Sequence, residues 1–247
     1  MLHIQQLSLK RSVREMNNQI YLFEFYAVII SDSLNTEKHS HLAHQLTFSL
    51  NDESFEVKVG EELISSKVVF IPSQETHNFL GSCSHFLSIL IDNESLFNLS
   101  ELRSKLRNLD TFPTEIGDVE PLLKHLGLGS GKNLDSRIIK VKEMIDSAEF
   151  LEEIRLSEIS KEMALSESRM LHLFKEQVGV PFRKYILWKK LRRAISSFAS
   201  NKNMKLTDIA LGADFSDSAH LSKVIKASFG LSPSEILKNS QFIKDHN

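Results

Sequence analysis

Short apolar runs, partly alternating with polar residues, fill the chain from residue 1 to about residue 90. The runs are rich in β-branched and aromatic residues, and they read YLFEFYAVII, HQLTFSL, SFEVKV and KVVFIP. Such runs are typical of β-strands, and the segments SLND and GEE supply turns between them. Because no helical pattern separates these runs, they predict a small sandwich or barrel.

The spacing of apolar residues becomes helical from residue 94 onwards. The stretch 94–109 carries leucines at helical spacing, namely Leu96, Leu99, Leu102, Leu106 and Leu109. This helix is either ordinary core or a dimer contact, and the sequence leaves both interpretations open. A second short helix, VEPLLKHLG, precedes the linker-like stretch GLGSGKN. We therefore predict a first domain over 1–126, a linker over 127–133 and a second domain over 134–247.

The second domain is predicted to be all-helical and contains an internal near-repeat. Its two copies read LSEISKEMALSESRMLHLFKEQVGV and LTDIALGADFSDSAHLSKVIKASFGL. Each copy predicts a short helix, a turn and a longer helix that ends at a glycine, Gly179 or Gly230. A helix of about eight residues, a turn and a helix of about twelve have the shape of a helix-turn-helix, whose second helix enters the DNA major groove.

The longer helix of the second copy has one apolar side and one side made of small residues, hydroxyls and lysines. A slim face without carboxylates suits contact with base edges, because carboxylates repel phosphate groups. The single acid, Asp217, lies at the helix start, where it is expected to cap free N–H groups. Helix-turn-helix geometry also occurs as plain structural packing, but two copies at matched spacing favour a DNA reader.

These residues make the region 134–247 similar to the paired helix-turn-helix domain of the AraC/XylS family of bacterial transcription regulators. The family's tail pattern, IA…GF followed by F…FG…P…Y, is matched at Ile209, Ala210, Phe215, Phe229, Gly230 and Pro233. The resemblance implies a long helix between the two units, and PFRKYILWKKLRRAISSFA (181–199), with six basic residues, fits that role. It also implies double-stranded DNA and RNA polymerase as partners.

The resemblance places the base-facing positions residue by residue. In the first unit they are Ser168, Leu171 and His172, with Arg169 and Lys175 alongside. In the second unit they are Ala219, Ser222 and Lys223, with Ser218 alongside and Lys226 one turn further on, towards the DNA backbone. The turn position that is usually glycine in the family is Ala164 in one unit and Asp214 in the other. Leu171 favours apolar contact with thymine methyl groups over the reading of guanine.

Charge supports this division of the chain, although the net charge of the whole is only −2. Residues 1–133 carry a net charge of −6 and residues 134–247 a net charge of +4, so the second part is the one expected to meet a polyanion. The single cysteine, Cys83, excludes an intramolecular disulfide and fits a reducing cytoplasm. The apolar runs are too short to cross a bilayer, so no membrane association is expected.

The first domain contains two segments that resemble the halves of a cupin motif, HSHLAHQ (39–45) and IPSQETHNF (71–79). His39, His41 and His77 match the histidine ligands of metal-binding cupins. The expected carboxylate is replaced by Gln45, and an expected glycine is replaced by Gln74. Regulators of the resembled family commonly keep the cupin-like barrel without a metal. We therefore expect no cofactor and retain the three histidines only as candidate ligands.

The sequence thus predicts an α+β chain, with an N-terminal cupin-like β-barrel followed by short helices and a C-terminal all-α domain. The C-terminal domain is expected to contain two helix-turn-helix units joined by a long helix and to read specific DNA sequences in the cytoplasm. A small-molecule or protein effector acting on the first domain is expected to control it, with homodimerisation as a further option. The alternative is a metal-dependent cupin enzyme or metal sensor, against which Gln45 argues. Neither a Ser/His/Asp order nor a phosphate loop nor a CxxC pair supports catalysis.

Overall fold

The computed structural model describes residues 18–23, 26–32, 35–81, 85–92, 99–109, 111–128, 134–201 and 204–244. Its strands are β1 (Asn18–Leu22), β2 (Tyr26–Ser31), β3 (His44–Ser49), β4 (Phe55–Val59), β5 (Glu62–Ser66), β6 (Val68–Ile71), β7 (His77–Phe79), β8 (Phe86–Ile91) and β9 (Ser240–Lys244). Its α-helices are α1 (Leu99–Arg107), α2 (Val119–Leu126), α3 (Ser136–Ser147), α4 (Leu156–Glu162), α5 (Glu167–Val178), α6 (Phe182–Ser200), α7 (Leu206–Gly212), α8 (Ser218–Phe229) and α9 (Pro233–Asn239). Short 3₁₀ helices cover Ile116–Asp118 and Leu151–Glu153.

The described strands form two sheets that pack against each other. The larger sheet has the order β6-β3-β8-β2-β1-β9, and the smaller one has the order β5-β4-β7. Phe55, Val57 and Phe79 of the smaller sheet share a buried core with Ile71 and Phe86 of the larger one. The predicted α+β architecture, with N-terminal strands and a helical C-terminal part, is confirmed.

Strand β3 shows how one sheet faces two different environments. Leu46 and Phe48 pack with α1 and α2, and this core includes Leu102 and Leu106. These two members of the leucine-spaced stretch are therefore core residues in this chain. Gln45, Thr47 and Ser49 alternate with the apolar residues and are equally buried, so the second face of β3 is polar inside the protein.

Both sequence repeats fold as helix-turn-helix units, with α4 and α5 in the first and α7 and α8 in the second. The turns contain Ala164 at φ 53° and Asp214 at φ 61°, the left-handed conformation that glycine adopts most easily. The Ser166 hydroxyl caps α5, and the Asp217 carboxylate caps α8 as predicted. The turn of the second unit is one residue longer than that of the first. The N-cap position of α8 therefore falls on Asp217, one residue after Ser216, the counterpart of Ser166.

Helix α6 connects the two units because its apolar residues belong to two cores. Phe182 and Tyr185 are buried with the first unit, whereas Leu191, Ala194 and Phe198 are buried with the second. The predicted joining helix, 181–199, is therefore confirmed within one residue at each end.

The C-terminal strand β9 returns to the N-terminal sheet. It pairs in parallel with β1, from Asn18 opposite Ser240 to Leu22 opposite Lys244. In addition, the Ile20 side chain of β1 is buried in the core of the second helix-turn-helix unit. The N-terminal sheet and the second unit are thus joined by backbone hydrogen bonds and by a shared core.

Among the described helices, none is long and apolar enough to cross a membrane. Several sequence predictions fall outside the described residues. These are Leu96, Cys83, the linker segment 129–133 and residues 1–17 of the first predicted domain.

Candidate nucleic-acid interface

The first helix-turn-helix unit presents one face of α5 to solvent. Met170, Leu173 and Phe174 lie on its other face and are buried in the core of the unit. All of the base-facing residues predicted for this unit are exposed, namely Ser168, Arg169, Leu171, His172 and Lys175. Leu171 is 37% exposed, which leaves its methyl groups accessible.

A carboxylate that sequence reasoning overlooked also lies on this helix. Glu176 Oε2 lies 3.7 Å from His172 Nδ1, one helical turn away, and both side chains are exposed. A carboxylate here would repel phosphate, and the neighbouring imidazole offsets this when it is protonated. The pair could have been predicted from the sequence, because a histidine and a glutamate four positions apart lie on the same face of a helix.

The second unit presents a slimmer face on α8. Leu221 and Ile225 are buried, whereas Ala219, Lys223 and Lys226 are exposed and Ser218 and Ser222 are half-buried. The Ser222 hydroxyl donates a hydrogen bond of 2.7 Å to the Ser218 carbonyl oxygen. Ser222 therefore presents oxygen lone pairs to an approaching donor, while its hydrogen is already used.

His220 was not among the predicted contact residues, yet it is exposed in the first turn of α8. Its Nδ1 lies 3.2 Å from the Ser216 hydroxyl oxygen, and its ring stands edge-on to Phe215 with centroids 5.3 Å apart. These two contacts orient the ring beside Ala219 and Lys223. The sequence could have indicated His220 as a contact residue, because it is a polar residue between the predicted contacts Ala219 and Lys223.

The C-terminal end of α8 is docked on a segment of the N-terminal half. Lys226 Nζ forms an ion pair with Glu37 Oε1 at 3.0 Å. The backbone N–H of Glu37 donates to the Gly230 carbonyl at 3.2 Å, and that of Ser40 donates to the Ala227 carbonyl at 3.2 Å. In this arrangement a carboxylate neutralises Lys226, the residue predicted to point towards a DNA phosphate.

Gly230 is required at this contact for two reasons. Its φ of 67° lies in the left-handed region, and a Cβ at this position would lie 2.5 Å from the Glu37 carbonyl oxygen. The same Cβ would lie 2.8 Å from Nδ1 of His39. The glycine that ends α8 therefore also allows the helix end to approach the N-terminal segment.

Most of the basic residues of α6 are engaged in contacts within the protein. Arg192 pairs with Asp92 of the N-terminal half, and Trp188 Nε1 donates to the same carboxylate at 3.0 Å. Lys189 pairs with Asp146 at 2.7 Å, and Lys190 pairs with Glu152 at 3.4 Å. Much of the positive charge of α6 is therefore neutralised by ion pairs within the protein.

Asp214 lies at the centre of a network that joins the two units. Its carboxylate accepts from the backbone N–H of Leu151 at 2.8 Å and from Arg193 Nη1 at 3.3 Å. Arg193 also donates to the carbonyl oxygens of Ala148 at 2.5 Å and Glu149 at 2.9 Å. Since Asp214 is 8% exposed and follows α7, while residues 148–151 precede α4, this network fixes one unit against the other.

A cavity of about 820 Å³ lies between the large sheet and α6. Its wall is mostly apolar and includes Ile20, Ile29 and Leu90 from the sheet and Ile195 from α6. The cationic residues Lys189, Arg192 and Arg193 line it from α6 alone. The cavity size is within the range of small-molecule sites.

The three candidate metal ligands are brought together at the edge of this cavity. His39, His41 and His77 are all buried, and their potential ligand atoms lie within 4.8 Å of one another. Of the other histidines near this region, His44 accepts from the Ser73 N–H at 3.0 Å, and His85 lies 2.7 Å from Asp32.

The arrangement described above, two exposed recognition helices with buried opposite faces, defines a double helix-turn-helix protein. A family model described as a helix-turn-helix domain matches residues 159–239. This part of the chain is an AraC-type helix-turn-helix domain, as predicted from the tail pattern.

Similar proteins fall into two groups. The Msm operon regulatory protein of Streptococcus mutans is 29% identical over 112 residues, which are 45% of this chain and 40% of that protein. The chain thus matches less than half the length of this curated relative.

The crystal structure of an apo variant of ToxT from Vibrio cholerae has a TM-score of 0.52 and 17% identity and covers 88% of this chain and 98% of that chain. That of wild-type ToxT bound to an unsaturated fatty acid has a TM-score of 0.53 and 16% identity, with the same coverage. At these identities the likeness to ToxT shows a shared fold, and it extends over both halves of the chain.

Proposed function

We propose that this chain is a DNA-binding transcription regulator of the AraC family that acts in the cytoplasm and has no enzymatic activity of its own. Residues 1–126 form its effector and dimerisation domain, 127–133 its linker and 134–247 its DNA-binding domain. The observation that carries the proposal is the pair of exposed recognition faces on α5 and α8, each opposite a buried core face. RNA polymerase and a second copy of the chain are its proposed protein partners.

The proposal is tested by selecting bound sequences from random double-stranded DNA with the full chain. We expect a consensus of two unlike elements, since the recognition faces of α5 and α8 differ, and binding that weakens steeply with salt. Enrichment of no sequence, or binding that salt does not weaken, would contradict the proposal.

Two lysines of α8 are expected to play different roles in DNA binding. Replacing Lys223 by alanine should weaken binding to the cognate site by about 1–3 kcal/mol and binding to random DNA much less, as expected for a base contact. Replacing Lys226 by alanine should weaken both about equally, because a phosphate contact carries no sequence information. Gel-shift titrations on cognate and random duplexes measure both effects. Equal losses for the Lys223→Ala variant on the two duplexes would assign Lys223 to the DNA backbone instead.

We further propose that the cavity between the large sheet and α6 holds an effector of the long-chain fatty acid class. Its mostly apolar wall suits a hydrocarbon chain. Lys189 and Arg192 line the same cavity, and an effector carboxylate would compete there with Asp146 and Asp92, their ion-pair partners. A protein of the same fold, ToxT, is known with a bound unsaturated fatty acid.

Oleate, kept below its micelle concentration, should therefore raise the melting temperature of the full chain. Ligand at about 100 times its Kd adds about 2.7 kcal/mol to the free energy of unfolding. Acetate is the control, because it carries the carboxylate without the chain and should leave the melting temperature unchanged. Equal effects of oleate and acetate, or no effect of either, would argue against a fatty-acid effector.

A further inference from the structure

Strand β8 places a serine among apolar residues on the cavity face of the large sheet. Ser88, Leu90 and Asp92 are alternate residues of this segment and line the cavity, and Ile29 of β2 lies opposite Ser88. Ser88 is only 3% exposed. Burial of a hydroxyl group costs free energy unless the group is hydrogen-bonded, so the partners of Ser88 determine what this part of the wall can bind.

Ser88 is the last member of a chain of buried hydrogen bonds. The side-chain amide of Gln45 lies 2.9 Å from His41 Nε2 and 2.9 Å from Thr47 Oγ1. Thr47 Oγ1 lies in turn 2.9 Å from Ser88 Oγ on the neighbouring strand. Among the described residues, Thr47 is the only hydrogen-bond partner of the Ser88 hydroxyl. The chain therefore ends at a hydroxyl group that lines the cavity.

This single hydrogen bond leaves most of the bonding capacity of the Ser88 hydroxyl unused. A serine hydroxyl has one donor hydrogen and two acceptor lone pairs, and the contact with Thr47 uses one of these three. If Thr47 is the donor, Ser88 offers its hydrogen to the cavity, and if Ser88 is the donor, it offers lone pairs. A hydroxyl group on a ligand fits both cases because it can donate and accept, whereas a methyl group fits neither.

A charged position lies further along the same strand. Asp92 follows Ser88 by four residues on the same face, and at about 3.3 Å per residue the two positions are about 13 Å apart. Arg192 pairs with Asp92 and lies in the cavity wall, so an effector carboxylate bound there is about 13 Å from Ser88. C–C bonds of about 1.5 Å advance an extended hydrocarbon by about 1.3 Å each, and the distance corresponds to a chain of about ten to twelve carbons.

We propose that the effector is a fatty acid with a hydroxyl group about ten to twelve carbons from its carboxylate, and that Ser88 binds this hydroxyl group. This inference rests on the proposed function, because it specifies the effector of the same cavity. The carboxylate lies at Arg192, the hydrocarbon passes the apolar wall that includes Ile29 and Leu90, and the ligand hydroxyl extends the chain of hydrogen bonds from Thr47 and Ser88.

Ser88 then determines specificity, while the apolar wall provides most of the affinity. A fatty acid without the hydroxyl group fills the same space but places a methyl or methylene group against Ser88. A site that hydrogen-bonds a ligand hydroxyl discriminates against the analogue that lacks it, because a polar group of the site is then left unpaired. The difference between the two ligands is therefore the quantity that tests the proposal.

The experiment compares three acids that share a twelve-carbon chain, each kept below its micelle concentration. Titration calorimetry on the full chain measures the Kd of 12-hydroxydodecanoate, dodecanoate and 2-hydroxydodecanoate. We expect 12-hydroxydodecanoate to bind at least about 10-fold more tightly than dodecanoate. The control is 2-hydroxydodecanoate, which has its hydroxyl group beside the carboxylate and should bind no more tightly than dodecanoate.

Two variants locate the group that recognises the hydroxyl. Ser88→Ala should reduce the preference for 12-hydroxydodecanoate over dodecanoate to about 1-fold and should still bind dodecanoate. The matched control is Ser31→Ala, because Ser31 is also buried and lines the cavity, but its hydroxyl donates to Asn18 Oδ1 at 2.6 Å. The Ser31→Ala variant should keep the preference. Melting curves without ligand verify that both variants fold.

Equal affinities of the wild-type chain for 12-hydroxydodecanoate and dodecanoate overturn the proposal and leave the fatty-acid effector in place. A preference that persists in Ser88→Ala, or that Ser31→Ala loses equally, overturns the role of Ser88. Binding of none of the three acids, and of no oleate, refutes the fatty-acid effector together with this inference. If a variant does not fold, the comparison of the three acids on the wild-type chain still decides whether the effector carries the hydroxyl group.

Discussion

Inserting about five base pairs between the two elements of the DNA site should reduce the affinity of the full chain to its non-specific level. The insertion rotates one element by about half a turn relative to the other, and the two recognition helices can no longer reach both. Specific binding typically exceeds non-specific binding by about 10³-fold or more, so a loss of at least about 4 kcal/mol is expected.

The physical basis of this prediction is the rigidity of the connection between the units. Helix α6 has 19 residues and is about 28 Å long at 1.5 Å per residue. Its two ends are buried in different cores, and the network around Asp214 adds a second connection beside it. Neither connection can twist by half a turn without breaking buried contacts.

Footprinting on spaced duplexes measures the effect. Five base pairs added outside the two elements serve as the control and should change nothing, whereas about ten added between them should restore some affinity only if the DNA bends. Unchanged affinity after the half-turn insertion would show that only one unit reads DNA. The second unit would then be the better candidate, because its face carries no carboxylate.

Replacing Asp214 by alanine should lower the free energy of unfolding by about 3–5 kcal/mol. The change leaves Arg193 without its buried counter-charge and removes the acceptor of the Leu151 N–H, and breaking a buried pair in this way is strongly destabilising. The Asp214 side chain is 5% exposed and that of Arg193 is 28% exposed, so solvent screens the pair only weakly. Urea denaturation of the full chain measures the effect.

The chain offers a matched control for the backbone part of this effect. Asp52 also has a left-handed φ, 63°, and it also pairs with a cation, Lys67 at 2.7 Å. Its side chain, however, is 82% exposed. Asp52→Ala should therefore cost only about 1–2 kcal/mol, from backbone strain and a weak surface pair. Equal losses in the two variants would show that strain, and not the buried network, accounts for the importance of Asp214.

The sequence predicted those features that depend on residues close together in the chain. Apolar spacing located α5 and α8, and the predicted cap at Asp217 follows from a rule that acts within one turn. The left-handed conformations of Ala164 and Asp214 follow from the comparison of the two copies with the family pattern.

Contacts between distant segments could not be predicted in the same way. Arg192 and Asp92 lie 100 positions apart, and nothing in the spacing of either segment indicates their pairing. The same holds for the ion pair between Glu37 and Lys226, a residue that is also predicted to contact DNA. The internal partners of the basic residues of α6 could not be predicted either, because a sequence shows charge without showing its partners.

The parallel pairing of β9 with β1 has a consequence for the exchange of parts between regulators. A chimera that joins this DNA-binding region to a foreign sensor would leave β9 without its partner strand and would remove Ile20 from the core of the second unit. The complementary chimera would turn β1 into an exposed edge, which is prone to pair with other chains. A functional chimera would therefore need β1 and β9 from the same parent protein. The segment that can be exchanged between regulators is thus larger than either half of this chain.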